Sequence, residues 1–127
     1  LWAWYRFDGK NEIPPLTDVF YENDYECVCI EFEISDSQVL LSDFDNWHCV
    51  LNQWLLDNSK SEKEWEEIQD WFDNLQLNEQ EKIMNESWEK IFDITPIKDE
   101  WCSNGQYVQA TFWKIEKTMI KNVKYNN

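Results

Sequence analysis

The sequence predicts an α+β domain, with a mixed or antiparallel sheet from N- and C-terminal strands around a three-helix middle block. Three observations carry this. The chain opens on the aromatic run Leu1-Trp2-Ala3-Trp4-Tyr5. Around residue 30 it alternates with period two, Val28, Ile30, Phe32 and Ile34 on one face and Cys27, Cys29, Glu31 and Glu33 on the other. Between residues 42 and 81, polar cap residues are followed three positions later by acids, each ahead of an apolar stripe. At 127 residues, a single domain over 1–127 is expected.

Residues 1–7 read as a strand, closed by turn chemistry at Asp8-Gly9-Lys10-Asn11. Pro14-Pro15 forbids regular structure there, so 8–24 reads as a long loop with a short extended piece at Val19 and Phe20. Residues 25–34 form the clearest strand, and Gln38-Val39-Leu40-Leu41 a short second run. Ser42, with Asp45 three positions on, reads as the cap of a helix from Asp43 to about Leu56 carrying Phe44, Trp47, Leu51, Trp54 and Leu55, with His48 on the same side. Ser61 and Glu64 open a second helix that turns Trp65, Ile68, Phe72 and Leu75 inward. Asn78 and Glu81 open a third with Met84, Trp88, Ile91 and Phe92. Asn104-Gly105 is a hairpin signal. Residues 107–115, including Trp113, read as a strand, and Met119 to Tyr125 continues extended after a break.

Composition excludes several classes. The chain has 26 acids against 11 bases, a net charge of −15, and one arginine, whereas a phosphate-binding surface needs clustered cations. An aromatic share of 17% and nine Trp argue against disorder. Two glycines leave no Gly-rich phosphate loop, and no nucleophile elbow is present. No apolar run reaches the length of a membrane span and no export signal opens the chain, so a cytoplasmic protein is expected. Cys27, Cys29, Cys49 and Cys102 are then free thiols; their C-x-C spacing does not suit zinc, so no metal is expected. A start at Leu1 within a strand suggests a trimmed or processed product.

Several residues are candidates for chemistry. Asp43, Asp45 and His48 sit together at a helix start; the plainer reading is a cap followed by a packed histidine. Glu31 and Glu33 share a strand face and could divide into acid and base, or simply face water. Trp4, Arg6, Asn52 and Trp101 complete the pocket candidates; Trp101, beside Cys102, is either packed or an exposed anchor. Charge is concentrated in residues 57–90, with eleven acids and four bases, while 114–127 carries four Lys and one Glu. Glu62, Glu66, Glu67, Asp70 and Asp73 make the acidic face, which suits docking on a basic surface.

The strings Trp2-Ala3-Trp4-Tyr5-Arg6-Phe7-Asp8-Gly9-Lys10, Ile30-Glu31-Phe32-Glu33-Ile34 and Leu40-Leu41-Ser42-Asp43-Phe44-Asp45-Asn46-Trp47-His48-Cys49-Val50-Leu51-Asn52 resemble the bacterial domain-of-unknown-function family 3841. So do Ser87-Trp88-Glu89-Lys90-Ile91-Phe92-Asp93 and Gln109-Ala110-Thr111-Phe112-Trp113. The resemblance spans nearly the whole chain and implies an additional segment ahead of the first strand. By fold analogy, the element order is also similar to ADP-ribosyltransferase-like domains. That likeness implies NAD as cofactor, Glu31 or Glu33 as catalytic Glu, and Trp4, Arg6, Asp43 and His48 around the pocket. Two functions are therefore expected. The leading one is a small acidic intracellular interaction domain that needs no cofactor. It would dock on a basic surface of a partner, a nucleic-acid-binding protein inhibited in the manner of phage or mobile-element proteins. The alternative is the ADP-ribosyltransferase-like or nucleotide-binding domain, incomplete in this chain.

Overall fold

A computed structural model describes residues 1–12, 14–15 and 28–125. Its strands are β1 (Trp2–Arg6), β2 (Val28–Phe32), β3 (Val39–Asp43), β4 (Ile97–Lys98), β5 (Ser103–Asn104), β6 (Val108–Phe112) and β7 (Ile120–Tyr125). Its helices are α1 (Phe44–Leu51), α2 (Glu62–Asp73) and α3 (Leu77–Ser87). Helices lie between terminal strands, so the fold is α+β. All the strand pairings among the described residues are antiparallel. Rather than one sheet, the described strands form three: β1-β6-β3, the ribbon β2-β7 and the small pair β4-β5. The expected extended piece at Val19 and Phe20, the start of the strand at 25–27 and Cys27 lie outside the described residues.

Strand β6 organises the molecule. Its register sets Trp2 opposite Thr111 and Trp4 opposite Gln109 on one side, and Leu40 opposite Thr111 and Ser42 opposite Gln109 on the other. Val108, Gln109, Ala110 and Phe112 are all buried, so β6 is covered on both faces. Side chains two apart share a face, which groups Ala110 with Phe112 and Gln109 with Thr111. The Phe32 ring lies 5.0 Å from Phe112 and ties the β2-β7 ribbon to the first of these faces. On the other, Phe44 brings α1 against the indoles of Trp4 (4.8 Å) and Trp2 (6.2 Å). Phe7 and Tyr107 extend this cluster from one side, and Trp47 and His48 from the other.

The first turn follows the expectation. Asp8 and Gly9 both have positive φ (50° and 74°), and Phe7 and Lys10 exchange two backbone hydrogen bonds at 3.0 Å, the geometry of a two-residue hairpin.

Helix α1 departs from expectation at both ends. Its cap is Asp43, whose carboxylate accepts from the Asn46 N–H, and Ser42 is still in β3. Ser42 cannot cap because its hydroxyl faces the sheet and accepts from Gln109 Nε2 at 3.0 Å. At the other end, Trp54 N–H donates to Cys49 O and Gln53 N–H to Val50 O, a Schellman stop that ends the helix at Leu51, not Leu56. Gln53 there holds φ +55°. Trp54 therefore leaves the helical stripe and is exposed.

For α2, Ser61 caps as expected, accepting from the Glu64 N–H at 3.2 Å, while the Glu64 carboxylate accepts from the Lys60 N–H at 2.8 Å. Helix α3 starts one residue before Asn78, after Gln76, whose side chain makes no cap bond, so Asn78 and Glu81 do not form the expected signature. Gln80 donates to Phe72 O instead and locks α3 to the end of α2. After Ser87 the chain tightens into a 3-10 helix, Trp88–Phe92, which buries Ile91, and Trp88 donates its indole N–H to Trp54 O at 2.7 Å. Phe92, expected inward, is exposed.

The expected strand over 107–115 stops at Phe112, leaving Trp113 95% exposed. The break at 116–118 appears as a 3-10 turn, Lys117–Met119, before β7. Nor is Asn104-Gly105 the hairpin turn. That role falls to 99–102, where the Asp99 carboxylate accepts from the Trp101 and Cys102 N–H groups.

A non-glycine residue in the left-handed region costs about 1–2 kcal/mol, partly offset by the greater freedom of an unfolded glycine. Gln53→Gly should accordingly stabilise the protein by about 0.5–1 kcal/mol. Urea unfolding monitored by Trp fluorescence would read this as a higher midpoint at unchanged slope.

Candidate functional site

Asp43 ends β3, is 2% exposed, and divides its carboxylate between two backbone donors. One oxygen accepts from Asn46 N–H at 2.8 Å and the other from Gly105 N–H at 2.6 Å. A buried carboxylate is tolerated where backbone donors and a helix N-terminus face it. Arg6 binds the opposite end of the same glycine: its Nη1 donates to Gly105 O and to Ile94 O, each at 2.8 Å. Asp43 and Arg6 thus meet through one residue rather than as an ion pair. The position requires glycine twice over, since its φ is +67° and an added Cβ would sit 2.3 Å from Ile94 O. Asn104 reinforces the junction, donating to Asp93 O and Thr95 O and accepting from Asn46.

Trp4 lies in the aromatic cluster. His48 takes the packed reading: its Nδ1 sits 2.8 Å from Phe44 O and its ring lies edge-on to Phe44 and Trp47. Asn52 closes α1, donating to His48 O at 2.8 Å. Asp45, at the rim of this group, has its carboxyl held above the ordinary range by partial burial and then by Asp43, with His48 pulling back. Glu31 and Glu33 are exposed at the β2-β7 ribbon, where Glu33 pairs with Lys121 at 3.6 Å. His48 belongs to α1, Glu31 to β2 and Glu33 to the residues just after it, and no hydrogen bond or ion pair joins His48 to either glutamate among the described residues.

Trp101 is 44% exposed and anchored, its indole N–H donating to Ser59 Oγ at 3.3 Å while the Cys102 thiol donates to Ser59 O. With Lys60, Ser61, Glu62, Asp99 and Glu100 it lines an open cleft of about 460 Å³. The Cys102 thiol is pushed up by burial and the neighbouring carboxylates, so it is a poor nucleophile at neutral pH. Cys29, Cys49 and Cys102 are free, and no group of three metal-ligating side chains forms among the described residues.

Glu62, Glu66, Glu67, Asp70 and Asp73 are all exposed on α2, which buries no residue fully. At 100° per residue, Glu62, Glu66, Asp70 and Asp73 fall on one stripe. Trp65 (43% exposed), expected inward, and Trp71 (53%) are also left open, Trp65 at the edge of the stripe and Trp71 on the side away from it, because the helix meets too little protein to cover them. The three ion pairs among the described residues are Lys82–Glu86, Lys114–Glu116 and Lys121–Glu33, none of them on the stripe, and the exposed Lys63 is the one cation that α2 carries beside it.

Three residues central to this arrangement, Gly105, Asn46 and Ser59, carry no chemical signature in the sequence. Only the Asn104-Gly105 pair signals a special backbone, and it signals a turn rather than a junction.

These features define a small α+β fold with an aromatic-faced three-stranded sheet, a peptide junction gripped by Asp43 and Arg6, and an acidic outer helix. The chain belongs to the family described as domain of unknown function DUF3841, whose model matches residues 1–121. No curated protein and no solved structure matches it. No helix among the described residues is long and apolar enough to cross a membrane.

Two expected outcomes test the junction. Gly105→Ala should cost more than about 3 kcal/mol, because backbone oxygens block the new methyl group. Gly9→Ala, whose Cβ would meet only the end of the Gln106 side chain, should cost about 1–2 kcal/mol; equal losses in urea unfolding would contradict the junction. For Asp45, a raised folded pKa means that its favourable contribution is complete below the unfolded value and is lost as pH rises through the folded one. Asp45→Asn should therefore gain stability relative to wild type between pH 3 and pH 7, and carboxyl NMR should place the Asp45 titration above 3.8.

Proposed function

We propose that the chain is an acidic docking domain that presents α2 to a basic surface on another protein inside the cell. The supporting observation is the stripe Glu62–Glu66–Asp70–Asp73, exposed and in no ion pair among the described residues, with Lys63 the one cation on the helix. Like charges three and four apart weaken a helix by a few tenths of a kcal/mol per pair. An arrangement that costs its own helix stability is accounted for by a cationic partner that relieves the repulsion. Trp65 at the edge of the stripe supplies an aromatic contact of the kind tight interfaces use. Carboxylates recur about every 6 Å along such a helix and present a line of negative charge to a cationic groove. An inhibitor occupying the groove of a nucleic-acid-binding protein fits this chemistry.

The test begins with capture of the partner at low salt, followed by titration of the purified pair. Affinity should fall at least tenfold between 50 and 300 mM salt, and Glu66→Lys/Asp70→Lys should weaken it at least tenfold at 50 mM. A salt-independent affinity, or binding unchanged by the double reversal, would overturn the reading.

A further inference from the structure

Glu62 belongs both to the α2 stripe and to the cleft beside Trp101. That cleft is lined by Trp101, Ser61 and four charged residues, Glu62, Asp99 and Glu100 against Lys60. The four charged side chains are exposed, and none enters an ion pair among the described residues. Two parts of the lining are fixed in place. The Trp101 indole is tied to Ser59 through its N–H. Asp99 accepts from the Trp101 and Cys102 N–H groups through Oδ1 alone, at 3.0 and 2.6 Å, and its Oδ2 makes no hydrogen bond among the described residues. These donors, Cys102 first and then Trp101, hold the Asp99 carboxyl below the ordinary carboxylate range, so it is ionised at neutral pH. The start of α2 is not open to an anion either. Ser61 Oγ takes the Glu64 N–H and the Glu64 carboxylate takes the Lys60 N–H, so an anion approaching there meets further negative charge.

We infer that the cleft receives an arginine side chain of the basic partner, its guanidinium lying against the Trp101 ring and pairing with the Asp99, Glu100 and Glu62 carboxylates. The inference rests on the docking reading of α2 and names the residue that the acidic surface engages. An indole face attracts a cation, and three carboxylates against one lysine leave the cleft negative. Arginine fits this lining better than lysine. Its guanidinium is flat and weakly hydrated, so it stacks on a ring while its N–H fork reaches carboxylates around the edge. An ammonium is a hydrated point charge with no such plane. The indole and the Asp99 carboxylate are already held, so little freedom is lost when the side chain arrives. Position agrees as well. Glu62 is the first acid of the stripe, so an arginine seated beside it continues the contact that Glu66, Asp70 and Asp73 make along α2.

The test is titration of the full chain with a blocked Gly-Arg-Gly peptide, read from the Trp101 indole N–H signal by NMR and assigned by its loss in Trp101→Leu. The signal should shift and saturate by about 20 mM peptide at 50 mM salt. The same peptide with citrulline, which keeps the shape and loses the charge, should bind at least about tenfold more weakly, and a lysine peptide about threefold more weakly. Glu100→Gln should weaken arginine binding about threefold, and Lys60→Gln should strengthen it about twofold, because one removes an attraction and the other a repulsion. Neither side chain makes a hydrogen bond or ion pair among the described residues, so both variants should melt with wild type. An unmoved Trp101 signal, equal binding of arginine and citrulline, or equal binding of arginine and lysine would overturn the inference. No partner enters this titration, so its failure is separate from that of docking through α2, which the Glu66→Lys/Asp70→Lys reversal decides.

Discussion

The buried carboxylate of Asp43 is the point on which the structure turns. It closes β3, caps α1 and holds the Gly105 peptide that leads into β6. One side chain thereby fixes two adjoining elements and a segment 62 residues further along the chain. Arg6 extends the hold to β1 and to the segment after the 3-10 helix, through Gly105 O and Ile94 O. An unpaired buried donor costs about 1–3 kcal/mol, so each contact is favoured less by its own strength than by the cost of leaving it unmade. The aromatic cluster follows from this. Once Asp43 sets the direction of α1, Phe44 must land on Trp2 and Trp4, and His48 must follow it one turn later.

The outer helices are held differently. Helix α2 carries no fully buried residue and is secured through its ends, by Ser61 at one and by the Gln80–Phe72 bond at the other. The separation explains how a strongly acidic stripe coexists with a stable domain. Repulsion among its carboxylates falls on a peripheral element and is relieved by water, leaving the packing around β6 undisturbed. Structural stability and surface charge therefore occupy different parts of the molecule.

What could be read from the sequence was local. The Ser61–Glu64 cap and the Asp8-Gly9 turn depend on residues within four positions of each other and appear as expected; the strand around Ile30 forms too, but it ends at Phe32 rather than Ile34, and Val28 and Ile30 are exposed. Distant partners decided the rest. Ser42 and Asp43 are both good caps, and the choice was made by Gln109 and Gly105, more than sixty residues away. The helical spacing of Trp65 was real, but spacing does not reveal whether a second surface stands opposite; here it leaves the ring 43% exposed. Strand pairing was equally silent, which is why one expected sheet became three. Among the candidate residues, Asp43 and Arg6 were identifiable as polar groups set among aromatics. That they would grip one glycine was not, because glycine has no side chain to announce it.

The position of β6 has a consequence for how the molecule comes into being. Its residues pair with a strand that starts at residue 2 and with another that starts at residue 39, so the sheet cannot begin until residue 112 has been synthesised. At ordinary translation rates of about 5–20 residues per second, Trp2, Trp4 and Phe44 wait several seconds without their central strand. Contacts of such long sequence separation also put the chain among slow folders. Asp43 is in place early, and the Gly105 peptide it must hold arrives 62 residues later. During that interval the acidic helices, already emerged, would keep a nascent chain with exposed indoles from associating with its neighbours.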